Sequence, residues 1–154
     1  MTFSHDGLRD SLTHLAAPPY FYENLRREIA TADRNKSRLL LIRFQLTPIQ
    51  SLTKPNSASD QESLYEAEIL AFAEIIRGAT RPEDLCARLG RYEFTMIVKA
   101  GAEVGAAVSK RVLTGWRSEF FYCASSQIQV KQGESSLEVL NRLDNQELLP
   151  HPLS

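Results

Sequence analysis

Apolar residues recur at helical spacing early in the chain and then form one short continuous run. Two prolines at the start of PPYFYENLRREIATADRNK (18–36) suit the first turn of a helix, and apolar residues follow at intervals of three or four. These positions are Phe21, Leu25, Ile29 and Ala32. The pattern predicts a helix over 18–36. The run RLLLIRFQL (38–46), which Pro48 ends, predicts a buried strand.

The rest of the chain alternates between loop, helix and strand patterns. Turn formers and polar residues at 47–63 predict a loop of unusual length, and a helix closed by Gly78 follows. Two strands separated by GRY have hairpin spacing. A helix that contains Gly105, a strand and an amphipathic helix opened by Ser135 or Ser136 complete the chain. We place these six elements at 64–79, 85–89, 93–98, 102–116, 120–130 and 135–149.

The order of the elements predicts the fold class. A hairpin at the centre of two strand–helix units is the split βαβ, ferredoxin-like plan. We therefore predict an α+β fold in which helices cover one mainly antiparallel sheet and the hairpin tip is exposed. At 154 residues the chain has the length of one domain with a substantial core. We expect that domain over 10–149, with a short lead over 1–9 and a tail over 150–154.

Composition narrows the possible partners. The net charge is −1, with 18 Lys and Arg against 19 Asp and Glu, so we expect no general binding of DNA or RNA. No apolar run approaches the roughly 20 residues that a membrane span needs, and we expect no secretory signal, because the first residues show neither a basic nor an apolar region. We expect a cytoplasmic protein in which Cys86 and Cys123 are buried, reduced thiols. A disulfide or a metal site at these cysteines is the alternative.

Three segments, in order along the chain, resemble motifs of one known family. They are DSLTHLAAPPYF (10–21), RLGRYEF (88–94) and GESSLEVLNRLD (133–144). The first is similar to the opening D-x-LTGL-x-N-R-x-x-F turn of the GGDEF domains of diguanylate cyclases. The second resembles their RLGGDEF signature, and the third their GES-x-x-x-LL-x-x-AD segment. The resemblance implies the GGDEF variant of the ferredoxin-like fold, whereas activity depends on the residues of the site.

The same resemblance implies that the catalytic site is degenerate. In active members, which make cyclic di-GMP from GTP, Mg²⁺ sits between an Asp at the end of the first strand and the acidic third signature residue. Arg43 and Tyr92 stand at those positions, and neither side chain replaces a carboxylate ligand. Arg91 replaces the second signature glycine. We therefore expect no cyclase activity, metal or cofactor at this former active site, which comprises Arg43, Gly90, Arg91, Tyr92 and Glu93. The alternative is that Arg43, Arg91 and Tyr92 are ordinary surface residues.

The segment before the signature resembles a second site of the family. Many members carry an R-x-x-D motif five residues before the signature, where cyclic di-GMP binds as an inhibitor. Here Arg81 and Asp84 have that spacing to Gly90. Arg81 can present a planar fork to guanine or phosphate, and Asp84 can accept from the guanine N1–H and amine. The family adds an arginine from the next helix, for which Arg111 is the candidate and Lys110 the alternative. A surface ion pair between Arg81 and Asp84 is the competing interpretation.

Two functional hypotheses follow from these motifs. The first is a non-enzymatic cyclic di-GMP receptor that signals through altered contacts with an unknown protein partner and forms a ligand-linked homodimer. The second is a nucleotide-independent scaffold in an envelope, polysaccharide or motility assembly. In the second case Tyr92, expected to be exposed at the hairpin tip, is a candidate protein contact.

Overall fold

The computed structural model describes residues 3–49 and 58–150. Within them, the predicted helices and strands follow one another in the predicted order. The helices are α1 (Pro18–Asn35), α2 (Ala58–Ala79), α3 (Ala102–Gly115) and α4 (Ser136–Asn145). The strands are β1 (Leu40–Pro48), β2 (Leu85–Gly90), β3 (Glu93–Val98), β4 (Phe121–Gln129) and β5 (Leu149–Pro150).

The strands form one sheet in the order β2-β3-β1-β4-β5, and every neighbouring pair is antiparallel. Strand β1 is central, since Leu40 lies opposite Val98 of β3 and Gln129 of β4. This arrangement confirms the predicted α+β fold with one antiparallel sheet covered by helices. The short edge strand β5 is an addition that the sequence did not predict.

Helices cover both faces of the sheet, so alternate residues of β1 belong to two separate cores. Leu40, Ile42 and Phe44 pack with residues of α2 and α3. Leu39, just before β1, and Leu41 pack with residues of α1 and α4. Burial on both faces explains why the strand is a continuous apolar run rather than an alternating one.

Helix α2 begins at Ala58, so the predicted loop over 47–63 is wrong for 58–63. Residues 50–57 of that loop lie outside the described residues. Asp60 lies in the first turn of α2, where the helix dipole favours a carboxylate. Polar residues that suggest a loop therefore also suit a helix N-terminus. At the other end of the segment, β1 continues to Pro48, which is its last paired residue.

The final helix is shorter than the predicted 135–149. It ends at Asn145, because Gln146 is already extended, with φ −76° and ψ 134°. Pro150 disfavours a helical conformation at Leu149. Leu149 instead belongs to β5, where it pairs with Ser125 of β4. At the start of α4, Ser135 is the N-cap and forms a reciprocal capping box with Glu138.

Gly105 lies inside α3 because the helix packs very closely on the sheet. A Cβ at this position would lie 2.5 Å from Gln127 Oε1 and 2.8 Å from Leu40 Cδ1. Glycine costs helix stability, but here it permits the contact between α3 and the central strands.

A buried ion pair joins the N-terminal segment to β2. Arg88 Nη1 donates to Asp10 at 3.0 and 3.1 Å, and the two side chains are 2% and 0% exposed. The Asp10 carboxylate also accepts from the backbone N–H and the hydroxyl of Thr13, both at 2.7 Å. The segment that resembles the family's opening turn is thus fixed to β2, where the segment that resembles the family's signature begins.

Both cysteines are buried and unpaired, as the sequence predicted. Burial raises the pKa of Cys123 to about 12 and also raises the pKa of Cys86. Both side chains therefore stay protonated near neutral pH. Within residues 3–49 and 58–150, no helix combines the length and apolarity of a membrane span. The same residues contain no group of three or more His, Cys, Asp or Glu arranged to hold a metal ion.

Candidate functional site

Arg81 and Asp84 lie in the turn between α2 and β2. The backbone N–H of Asp84 donates to the carbonyl of Arg81 at 2.9 Å, and Pro82 occupies the second position, where its fixed φ suits a β-turn. Arg81 Nε donates to Asp84 Oδ2 at 3.1 Å and lies 3.3 Å from an oxygen of Glu83. The sequence motif therefore brings the two predicted ligand-binding side chains into direct contact.

The two partners differ in their access to solvent. The Arg81 side chain is 48% exposed, whereas that of Asp84 is only 2% exposed. Asp84 Oδ1 accepts from the backbone N–H of Lys99 at 3.1 Å, so this carboxylate also connects the turn to the end of β3. The Arg81 fork is therefore open to solvent, whereas the Asp84 carboxylate is enclosed and already accepts from Arg81 and Lys99.

Arg111 lies on the exposed side of α3. Near the end of this helix, a Cβ at Gly115 would lie 3.8 Å from Ile75 of α2, so the two helices are adjacent there. The helices run in opposite directions, because α2 ends where β2 begins and α3 begins where β3 ends. Arg111 is one turn before Gly115 in α3, and Gly115 is next to Ile75. Because the helices are antiparallel, Arg111 is level with the turn of α2 that follows Ile75, which is the last turn before Arg81. Lys110 is also exposed but lies about 100° further round the helix.

A second polar cluster lies on the face of the sheet that α1 and α4 cover. Arg43 Nε donates to Glu93 Oε1 at 3.2 Å, and Nη2 donates to Gln45 Oε1 at 3.1 Å. The Arg43 side chain is 15% exposed and that of Glu93 is 33% exposed. The guanidinium thus pairs with the carboxylate of Glu93.

Two buried hydroxyls flank this ion pair across the sheet. Thr95 of β3 and Ser126 of β4 are the partners of Arg43 in the strand register, and directly paired residues point to the same face. Thr95 Oγ1 and Ser126 Oγ have no hydrogen-bond partner among the described residues. Tyr22 of α1 lies near the same cluster. Partial burial is the main cause that raises the pKa of its phenol, and the carboxylates of Glu93 and Asp144 raise it further.

Tyr92 points to the opposite face of the sheet. Its ring lies 5.2 Å from that of Phe121 and 6.4 Å from that of Tyr65, and burial raises the pKa of its phenol. The prediction of an exposed aromatic at the hairpin tip is therefore wrong, because this aromatic cluster half-buries Tyr92. Arg91 is the exposed residue of the tip, and its guanidinium lies 5.1 Å from the centre of the Tyr92 ring.

Solved structures share this architecture over almost the whole chain. The coiled coil and GGDEF domain of DgcB from Caulobacter crescentus, in complex with c-di-GMP, superposes with a TM-score of 0.75 at 24% identity, over 91% of this chain and 78% of that one. A microbial GGDEF domain studied with c-di-GMP gives 0.74 at 17% identity, over 90% and 86%. The fold is that of a GGDEF domain.

A third similar structure includes a protein partner. The diguanylate cyclase SiaD from Pseudomonas aeruginosa, in complex with its activator SiaC, gives a TM-score of 0.71 at 19% identity, over 89% of this chain and 55% of that one. No protein-family model and no curated protein matches the chain. The likeness is therefore one of fold.

On this GGDEF fold, the predicted site residues separate into two places. Arg81 and Asp84 are in contact at one end of the sheet, with Arg111 on the neighbouring helix. Arg43 and Glu93 are together on one face, whereas Tyr92 is on the other. Sequence reasoning did not find the Arg43–Glu93 pair, because it depends on the β1–β3 register.

The buried partner of Asp10 was also missed. Arg88 is a charged residue within a strand, and only its burial and its contact with Asp10 reveal its role. Both residues lie in segments that resemble motifs of the same family. This common resemblance was the feature of the sequence that could have indicated their contact.

Proposed function

We propose that this chain is a catalytically inactive GGDEF domain that binds cyclic di-GMP through Arg81, Asp84 and Arg111. The bound nucleotide changes the contacts of the domain with a protein partner. The proposal rests on two side-chain arrangements seen together, one around Arg43 and one around Arg81. A guanidinium lies against the signature carboxylate at one, and an accessible Arg81 fork lies beside Asp84 at the other.

Loss of catalysis is supported by the charges around Arg43. Magnesium prefers hard oxygen ligands, above all carboxylates and phosphates. Here Glu93 is the nearby carboxylate, and it is paired with Arg43. A divalent ion about 4 Å from a guanidinium would meet a repulsion of roughly 8 kcal/mol at an effective dielectric constant of about 20. The residues present therefore do not fit a magnesium ion at this position.

Binding of cyclic di-GMP is supported by the chemistry of the α2–β2 turn. Arg81 presents a planar set of donors that matches two acceptors of a guanine edge or a phosphate. Its ion pair with Asp84 is open to solvent on the arginine side, and exposed ion pairs contribute little stability. A ligand can therefore draw Arg81 away and gain Asp84 as an acceptor for guanine N–H groups.

The solved relatives support the same ligand. The DgcB structure and the microbial GGDEF domain were both determined with c-di-GMP. Their common fold with this chain gives the ligand a compatible framework. The residues that would bind it here are assigned from the turn geometry and the spacing of the motif.

Isothermal titration calorimetry with cyclic di-GMP tests the proposal. Wild-type protein is expected to bind saturably, and Arg81→Ala should weaken binding by at least about tenfold, because a charge-assisted contact is lost. Asp84→Asn keeps the shape of the turn and should also weaken binding. Arg117→Ala is the matched control, because Arg117 is exposed between α3 and β4 at the opposite end of the sheet. Unchanged affinity in both site variants would refute this placement of the ligand.

The buried state of Asp84 favours a second candidate function. Its oxygens already bond to Arg81 and to the Lys99 backbone, so the motif also serves as a closed structural turn. In that case the domain is a nucleotide-independent scaffold, and the complex of SiaD with its activator SiaC shows a protein partner on a protein of this fold. Absence of calorimetric binding by the folded wild type would favour the scaffold. Formation of cyclic di-GMP from GTP and Mg²⁺ would contradict both functions.

A further inference from the structure

A groove at the outer edge of the sheet borders the α2–β2 turn, but its lining includes neither Arg81 nor Asp84. It has a volume of about 490 Å³, within the range of roughly 300 to 1,000 Å³ typical of ligand pockets. We call it the β2-edge groove. Its principal lining residues are Leu8, Arg9, His14, Tyr20, Arg77 and Thr80.

Hydrogen bonds hold the walls of the β2-edge groove in place. The N-terminal segment pairs with the start of β2, since Ala16 N–H donates to the carbonyl of Cys86 at 3.2 Å. Ala17 N–H donates to the carbonyl of Leu8 at 3.0 Å. Arg77 of α2 donates to the carbonyl of Thr13 and so connects the helix to the same segment. A site of this kind needs little rearrangement to bind a ligand.

The side chains that line the groove include two cationic ones and no acidic one. Arg9 and Arg77 line it, and no Asp or Glu does. Arg9 donates to the carbonyl of His14 at 3.0 Å but forms no ion pair with any residue in the described ranges. Arg77 pairs with Glu74, whose side chain is 73% exposed and lies outside the lining. The groove therefore favours an anion, and each guanidinium retains further N–H donors.

Most of the remaining lining residues are apolar. Leu8 and Tyr20 are 60% and 39% exposed, which is high for side chains of this size. Leu15 and Leu85 continue the apolar lining. A flat apolar group would cover this surface while its acidic group contacts the arginines.

We propose that the β2-edge groove binds a small organic anion with a flat apolar body. Its carboxylate, sulfonate or phosphate contacts Arg9 and Arg77, and its body covers Leu8 and Tyr20. The inference does not rest on the proposed binding of cyclic di-GMP, because neither Arg81 nor Asp84 lines the groove.

Titration of the ¹⁵N-labelled protein with 2-naphthyl phosphate and 2-naphthalenesulfonate tests this site by NMR. Both probes should shift the amides of Leu8, Arg9 and Tyr20 saturably. Neutral 2-naphthol should bind at least about tenfold more weakly, because it offers no charge-assisted contacts. A preference for the phosphate over the sulfonate would identify a phosphorylated ligand class.

Single substitutions test whether the groove itself binds the naphthyl probes. Arg9→Gln should weaken binding of the naphthyl probes about tenfold or more, because a charge-assisted contact is lost. Leu8→Ser should weaken it a few-fold, because apolar contact is lost. Arg117→Gln should leave it unchanged. Arg81→Ala should leave probe binding unchanged, which separates this site from the cyclic di-GMP site. Shifts centred elsewhere, no saturable shifts, or wild-type affinity in folded Arg9→Gln and Leu8→Ser would overturn the proposal.

Discussion

Replacing Arg88 by methionine tests whether a buried ion pair holds the N-terminal segment on the sheet. The change removes the contacts of Nη1 with Asp10 and those of Nε and Nη2 with the carbonyl of Arg91. The Asp10 carboxylate would stay buried with only Thr13 as a donor. An uncompensated buried charge of this kind typically costs about 3–5 kcal/mol.

Urea denaturation measures this loss, and a double-mutant cycle identifies its cause. Arg88→Met should lower the free energy of unfolding by about 3–5 kcal/mol with little change in the slope against urea. Asp10→Asn combined with Arg88→Met removes both charges, so the double variant should lose less than the sum of the two single losses. The expected coupling is roughly 1–3 kcal/mol.

The control for this experiment is Arg26→Met. Arg26 pairs with Glu23 on the surface of α1, with a side chain that is 67% exposed, so no measurable loss is expected. A loss below about 1 kcal/mol for Arg88→Met, or strictly additive losses in the cycle, would refute the structural role of the pair.

Three further predictions concern stability. Gly105→Ala should destabilise the fold by about 1–3 kcal/mol in thermal or urea unfolding, despite the better helix propensity of alanine, because the new Cβ would lie 2.8 Å from Cδ1 of Leu40, which is buried in the core. Ser135→Ala removes the capping box and should cost about 1 kcal/mol in the same assay. The hydrogen bond from Arg142 lowers the pKa of Glu134 below its ordinary value of 4.5. The stabilisation is therefore complete above pH 4.5 and is lost as the pH falls through the folded-state pKa. Unfolding measured against pH should show Glu134→Gln closer to wild type in acid than at neutral pH, and a constant gap would contradict this.

Much of the fold could be predicted from the sequence because the strong patterns are local. In α1, the buried residues Phe21, Leu25 and Ile29 recur at helical spacing within one short segment. In β1, the buried residues form one continuous apolar run. Both patterns can be read without knowing the distant contacts. Element ends were less predictable. At Ala58 a polar stretch suits both a loop and a helix N-terminus, and at Asn145 the stop depends on pairing of Leu149 with a distant strand.

The candidate site was predictable only in part, because side-chain partners depend on register and on face. The spacing of Arg81 and Asp84 within one turn was visible in the sequence, and the two are in contact. The direction of Tyr92, into an aromatic cluster, was not visible, because a hairpin residue can point to either face. The pairing of Arg43 with Glu93 requires the alignment of two strands that are separated by a long segment of chain.

The backbone amide of Lys99 offers the most direct test of the proposed receptor. It donates to Asp84 Oδ1, so its NMR signal reports any change in the bonding of that carboxylate. Titration with cyclic di-GMP should shift this amide saturably, together with the amides of Arg81, Glu83 and Asp84 and those near Arg111. The signals of β1 around Arg43 should stay in place. Shifts confined to the Arg43 cluster, or no shift of Lys99 at saturating nucleotide, would contradict the account.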